Sequence, residues 1–128
     1  MPILTVQGVP RMNQGLLERL ISSLQQAVAL GLNDVDPEDV SVYLVPDMIA
    51  MRAGEEVIVF IDGLYRKPER TDSVLDGLRI CIVEQLILFL CQHVPKCSRV
   101  EVMIRSMMEP NEVTSRNPQY FRYHPDDQ

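Results

Sequence analysis

Pro2 has the most unusual chemistry on offer in this sequence, and its position rather than its type is the reason. It follows the initiator Met, and a small residue there is expected to permit removal of Met1. The new terminus would be a secondary amine, a base that no internal proline provides. An α-amino group ordinarily titrates at about 7.7–8.0. Burial at the mouth of a strand, or a nearby cation, lowers that value and leaves a neutral base at cell pH. Such an amine takes a proton at one atom and returns it nearby, provided a cation holds the carboxylate and enolate of the reactant. Arg11, Arg66 and Arg52 offer the planar fork that suits a carboxylate, and each could equally be a solvated Arg beside a helix or loop. Tyr43 and Tyr65 could orient a substrate oxygen or simply pack. Asp62 and Glu101 stand at or near strand ends, where an acid either assists proton transfer or is an exposed polar position. Pro2 itself could merely begin an edge strand, which proline tolerates.

Other chemistries find little support. His93 and His124 have no partners at metal-ligand spacing, and Cys81, Cys91 and Cys97 show no CxxC pattern, so no metal site is expected. Neither a Gly-rich phosphate loop nor a Ser/His/Asp or Cys/His arrangement is visible. No cofactor is expected. Twelve Lys and Arg against 18 Asp and Glu give a formal net charge of -6, which argues against nucleic acid and against an anionic membrane surface. The apolar stretch from Ile80 to Val94 is interrupted by Glu84, Gln85, Gln92 and His93, too short and polar for a membrane span. MPILTVQG lacks the charged start and cleavage site of a signal peptide. Unpaired cysteines in an apolar helical run behave as small hydrophobes, and a reducing cytoplasm is expected.

The elements that must hold Pro2 and its partners are legible as patterns. Residues 2–7 read as a strand closed by Gly8. Leu16, Leu17, Leu20, Ile21, Leu24, Ala27 and Val28 form one face of an amphipathic helix, with Gly31 as its expected stop. Residues 40–45 read as a second strand ended by Pro46. Residues 57–61 are an unbroken β-branched and aromatic run, expected to be covered on both faces. Pro68 and Thr71 introduce a long helix over residues 72–94, apolar nearly all round and expected to be more buried than the first, with another subunit as one source of that burial. Val100, Val102 and Ile104 alternate with Glu101, Met103 and Arg105 in a half-buried closing strand. Residues 107–128 carry Pro110, Pro118 and Pro125 and read as irregular, with a short strand near Tyr120. The Met107–Met108 pair reads as oligomer packing.

The pattern occurs twice. Gly8-Val9-Pro10-Arg11 and Gly63-Leu64-Tyr65-Arg66 share a strand-Gly-x-x-Arg motif at an offset of 55 residues. The expected fold class is α+β: one domain over residues 1–128, with β-α-β halves at about 2–46 and 57–105 and a tail from 106. Two such units form a four-stranded mixed sheet with both helices on one face. The other face is left apolar and uncovered, which predicts an oligomer. The same offset sets Val57 opposite Pro2, so each chain offers at most one catalytic amine.

MPILTVQGVPR at the start, VSVYLVPD at residues 40–47 and FIDG at residues 60–63 resemble the tautomerase superfamily. Its members include 4-oxalocrotonate tautomerase, 5-carboxymethyl-2-hydroxymuconate isomerase and macrophage migration inhibitory factor. The resemblance covers most of the chain in layout: residues 40–47 resemble a strand of the inhibitory-factor branch, and two fused β-α-β units match the long members. It implies an amino-terminal proline base, a homotrimer, and a pocket around the proline between neighbouring subunits. Asp62 and Glu101 match positions of family pocket residues, and Asn111, Tyr120 and Phe121 match a C-terminal segment that walls the pocket. The sequence also departs from the family. The loop over residues 31–36 holds no cation where the inhibitory-factor branch has a Lys. That branch's closing-strand tyrosine and asparagine fall at Glu101 and Met103, and Arg11 stands one residue nearer the proline than the family's carboxylate-binding Arg. These departures fit a bacterial branch distinct from the inhibitory factor.

The expectation is therefore a cofactor-independent tautomerase or isomerase acting on a small 2-oxo or 2-hydroxy-dienoic acid. Pro2 is its catalytic residue, and Arg11, Arg66, Asp62, Glu101 and Tyr43 bind the carboxylate substrate. The alternative is a non-catalytic oligomeric binding protein that keeps the fold. A hydratase or dehalogenase using the same amine is a third option.

Overall fold

A computed structural model describes residues 2–46 and 54–109. In chain order the elements are β1 (Ile3–Gln7), α1 (Gln14–Leu32), a 3-10 turn (Pro37–Asp39), β2 (Ser41–Val45), β3 (Glu56–Asp62), β4 (Leu64–Tyr65), α2 (Asp72–His93), β5 (Arg99–Ile104) and β6 (Met107–Met108). Asp47, Arg52, Asn111, Tyr120, Phe121 and His124 lie outside the described residues.

Local chemistry sets the helix ends. Asn13 caps α1, its side chain accepting from the Gly15 N–H at 2.7 Å, and Thr71 caps α2 through the Val74 N–H at 3.3 Å. The helix α1 does not stop at Gly31 as its sequence predicts. It continues to Leu32 and ends on Asn33, whose φ of 65° is a left-handed conformation that Asn tolerates. Gly31 serves a packing purpose instead: a Cβ there would lie 3.0 Å from Leu78 Cα, so the missing side chain lets α2 approach α1.

The main sheet has the order β2-β1-β3-β5, with β1 parallel to β2, β3 parallel to β5, and the central β1–β3 pair antiparallel. The two β-α-β units thus meet head to tail. Ile3 lies opposite Asp62 and Gln7 opposite Ile58, which sets Pro2 beside the Gly63 end of β3. Both Gly8 (φ 97°) and Gly63 (φ 79°) occupy the left-handed region, so the repeated motif is a repeated backbone device. A separate two-stranded sheet pairs Leu64–Tyr65 with Met107–Met108 in parallel, giving the methionine pair an ordered place within the chain.

Both helices lie over one face, where Leu4, Val6, Val57, Val59 and Ile61 meet Leu20, Leu24, Leu78, Ile82 and Leu86. Each fully buried side chain of this size contributes about 1.5–3 kcal/mol relative to exposure, so this face holds the layers together. One expectation differs within the chain. The strand β3 alternates between buried and half-buried residues instead of being covered on both faces. Within one chain α2 buries its i, i+4 stripe of Leu78, Ile82, Leu86 and Leu90, with Val74, Leu75, Cys81 and Phe89 packed partly buried against the same core, while Ile80 (56%) and Leu88 (61%) are exposed. The uncovered sheet face presents Ile3, Tyr43, Val45 and Met103. No helix among the described residues is long and apolar enough to cross a membrane.

Candidate active site

Pro2 is buried at the head of β1, where its carbonyl accepts from the Ser41 N–H at 3.1 Å. Antiparallel pairing brings the end of β3 alongside, and the turn at Gly63 then sends the chain through Tyr65 into the segment before α2. That segment carries Lys67 and Arg70. The Arg70 N–H donates to the Lys67 carbonyl at 3.0 Å, and Arg70 Nη1 donates to the Tyr65 carbonyl at 2.8 Å. Across from them, the connection after α1 supplies Asp34. Its carboxylate accepts from Lys67 Nζ at 3.1 Å and from Arg70 Nη2 at 3.4 and 3.5 Å. Pro2, Asp34, Asp39, Tyr65, Lys67, Arg70 and Met108 all line one cavity of about 420 Å³, a size suited to a small molecule.

The electrostatics of this cavity are uneven. Burial pushes the Asp34 carboxyl up, but the hydrogen bond from Lys67 and the charges of Arg70 and Lys67 outweigh it and hold Asp34 below the usual carboxylate value. The Arg70 side chain is only 5% exposed, and its Nε has no hydrogen-bond partner among the described residues. A buried donor without an acceptor costs about 1–3 kcal/mol. The Lys67–Asp34 pair is well exposed on both sides and contributes little to stability on its own.

The residues singled out from the sequence fall in several places. Pro2 and Tyr65 share the cavity. Asp62 lies beside its rim, next to Gly63, with its carboxylate held by Arg105 Nε at 3.2 Å, by Arg105 Nη2, and by the Ser106 hydroxyl at 3.2 Å. The Arg105 hydrogen bond keeps the Asp62 carboxyl below its usual value, and the same guanidinium lies 4.6 Å over the Phe60 ring. Arg66 turns outward to Glu109 at 3.0 Å. Arg11 is exposed at the opposite end of β1, beside a shallow 160 Å³ hollow with Pro10, Leu17 and Pro46. Tyr43 is exposed on the uncovered sheet face opposite Thr5. Glu101 is level with Gln7, away from Pro2, and is paired to Arg99. Within one chain, then, Arg11, Tyr43, Arg66 and Glu101 do not gather at Pro2.

Sequence reading missed Asp34, Lys67 and Arg70. The available signal was the cation-rich run Arg66-Lys67-Pro68-Glu69-Arg70 directly after the second strand-Gly motif. The loop that lacks a cation of its own carries Asp34 and receives two cations from the other half of the chain.

Comparison with solved structures identifies the architecture. Native fused 4-oxalocrotonate tautomerase superposes with a TM-score of 0.64 at 17% identity, over 90% of this chain and 93% of that one. The chain has the tautomerase fold. A symmetric trimer of fused 4-oxalocrotonate tautomerase matches at 0.63 and 16% identity, over 90% and 94% of the two chains. Pt0534, in a structure inactivated by 2-oxo-3-pentynoate, matches at 0.60 and 14%, over 84% and 85%. Malonate semialdehyde decarboxylase matches at 0.57 and 13%, over 87% and 86%. At the level of sequence, no family model matches the chain. No curated protein matches it either. In this fold Pro2 stands at the head of the central β1, with the cavity beside it.

Proposed function

We propose that this chain is a cofactor-independent tautomerase of a small 2-oxo or 2-hydroxy-dienoic acid, with Pro2 as the acid and base once Met1 has been removed. One observation carries the reading: Pro2 shares a single cavity with two cations, Lys67 and Arg70. In the proposed reaction the Pro2 amine takes the proton of the enol hydroxyl as the oxygen's electrons form the carbonyl. The ammonium then returns the proton to the carbon at the far end of the shifted double bond, and the amine is regenerated. Lys67 and Arg70 hold the carboxylate and the charge that builds on the enolate oxygen. Burial of Pro2 and the neighbouring cations favour the neutral amine that the first step needs. The structural neighbours are tautomerase and decarboxylase proteins, which supports an enzyme on this frame. The uncovered sheet face, with Ile3, Tyr43, Val45 and Met103, supports a homotrimer like that of fused 4-oxalocrotonate tautomerase.

A non-catalytic oligomeric binding protein remains the second reading, favoured by the pairing of both cations to Asp34. Ketonisation of a 2-hydroxy-dienoate, followed by loss of enol absorbance, separates the two. Pro2→Ala should lower the rate by about a hundred- to ten-thousand-fold while light scattering shows the same oligomer. An unchanged rate in that variant rejects the catalytic reading.

A further inference from the structure

Asp34 is an unusual presence in a cavity read as holding an acid. It places a carboxylate against the two side chains best able to bind one, with both of its oxygens engaged by Lys67 and Arg70 at 3.1–3.5 Å. A second acid, Asp39, also lines the cavity. It stands on the 3-10 turn just before Ser41, the residue whose N–H holds the Pro2 carbonyl. Among the described residues, the charged lining is thus Lys67 and Arg70 against Asp34 and Asp39, and it balances to zero. The outer edge of Lys67, which is about two-fifths exposed, is left to meet a single entering carboxylate. A second carboxylate would have no further cation to meet among the described lining residues and would add a like charge beside Asp34 and Asp39, a repulsion that salt screens.

We infer that Asp34 is a specificity-determining residue, which neutralises the Lys67–Arg70 pair so that the Pro2 cavity takes an acid with one carboxylate and turns away an acid with two. The inference rests on the reading of this cavity as the site for a 2-oxo acid. Asp34 touches no reacting atom; it acts through the two cations.

The test compares 2-oxopentanoate with 2-oxoglutarate, which differ by one carboxylate, as ligands of the full-length protein in calorimetric titrations at low salt. The wild-type chain should bind 2-oxopentanoate at least about tenfold more tightly. Asp34→Asn should move the ratio by at least about tenfold toward 2-oxoglutarate, and added salt should shrink that gain. Asp34→Glu, which restores the charge, should keep the wild-type ratio. The ratio is a readout that a merely structural role leaves alone: if Asp34→Asn weakens both acids in parallel, Asp34 only holds its loop and the inference is overturned. A wild-type preference for 2-oxoglutarate, or an unchanged ratio in Asp34→Asn, overturns it as well. Binding needs no turnover, so an inactive chain that shows the predicted ratios rejects the tautomerase reaction and keeps the role of Asp34. Failure of both acids to bind rejects the site and the inference together.

Discussion

Gly8 and Gly63 end β1 and β3 in the same left-handed conformation, yet the two ends of the central strand pair are used in opposite ways. At Gly8 the described backbone is tightly packed. Its carbonyl accepts from the Gly54 N–H at 2.7 Å, a Cβ on Gly8 would collide with the Glu56 carbonyl, and Val57, the counterpart of Pro2, is fully buried. Beyond Gly63 the chain is open: Tyr65, Lys67 and Arg70 line a cavity shared with Pro2. One backbone device thus builds a tightly packed turn and a turn that leads to the larger cavity. What distinguishes them is the residue at the head of the neighbouring strand and the cations that follow the turn, not the turn itself. The repeated motif supplies the frame, and a few side chains that differ between its copies supply the proposed site.

Substitutions at the two ends should therefore separate stability from function. The largest effect is expected at the Gly8 end. Gly8→Ala combines a left-handed φ with a backbone collision and should cost about 3 kcal/mol or more in urea unfolding. A loss below about 1 kcal/mol would mean that Gly8 is not packed as described. At the open end, Lys67→Ala should change unfolding by less than about 1 kcal/mol, since its pair with Asp34 is exposed. It should raise KM for the 2-hydroxy-dienoate by about tenfold with a smaller change in kcat, the size of one lost charge-assisted hydrogen bond. Equal loss of stability and binding would erase the contrast between the ends. The smallest effect concerns the rim. Asp62 has its folded pKa depressed, chiefly by the hydrogen bond from Arg105, so its stabilising contribution is present above the unfolded carboxyl value of about 3.9. That contribution is lost as pH falls through the lower folded value. Urea midpoints measured from pH 6 down to pH 2 should thus show a slightly shallower acid loss in Asp62→Asn than in the wild-type chain. An identical acid profile would remove Asp62 from the account of stability.

Much of this frame could be read from residue order alone. Period-two and i, i+4 patterns marked the strands and helices, and the Gly-x-x-Arg repeat marked two turns that prove to share a positive φ. What was not legible depended on contacts distant in sequence. Gly31 looks like a stop until Leu78 is packed against it. The run over residues 57–61 looks covered on both faces because side-chain type cannot say whether a second layer exists. Lys67 and Arg70 gain their place only once Asp34, more than thirty residues earlier, is set opposite them. The antiparallel meeting of β1 and β3, which brings the second turn to Pro2, is a pairing that the repeat does not specify.

The most direct test of the central claim, a basic Pro2 nitrogen at the charged cavity, is covalent labelling by 2-oxo-3-pentynoate, the compound that inactivates Pt0534. Labelling would be followed against pH, with the modified site located by peptide mass spectrometry. The account predicts one adduct per chain on a peptide beginning at Pro2, with an apparent pKa below the roughly 7.7 of an ordinary α-amino group. A retained Met1, an adduct elsewhere, or an unperturbed amine would contradict it.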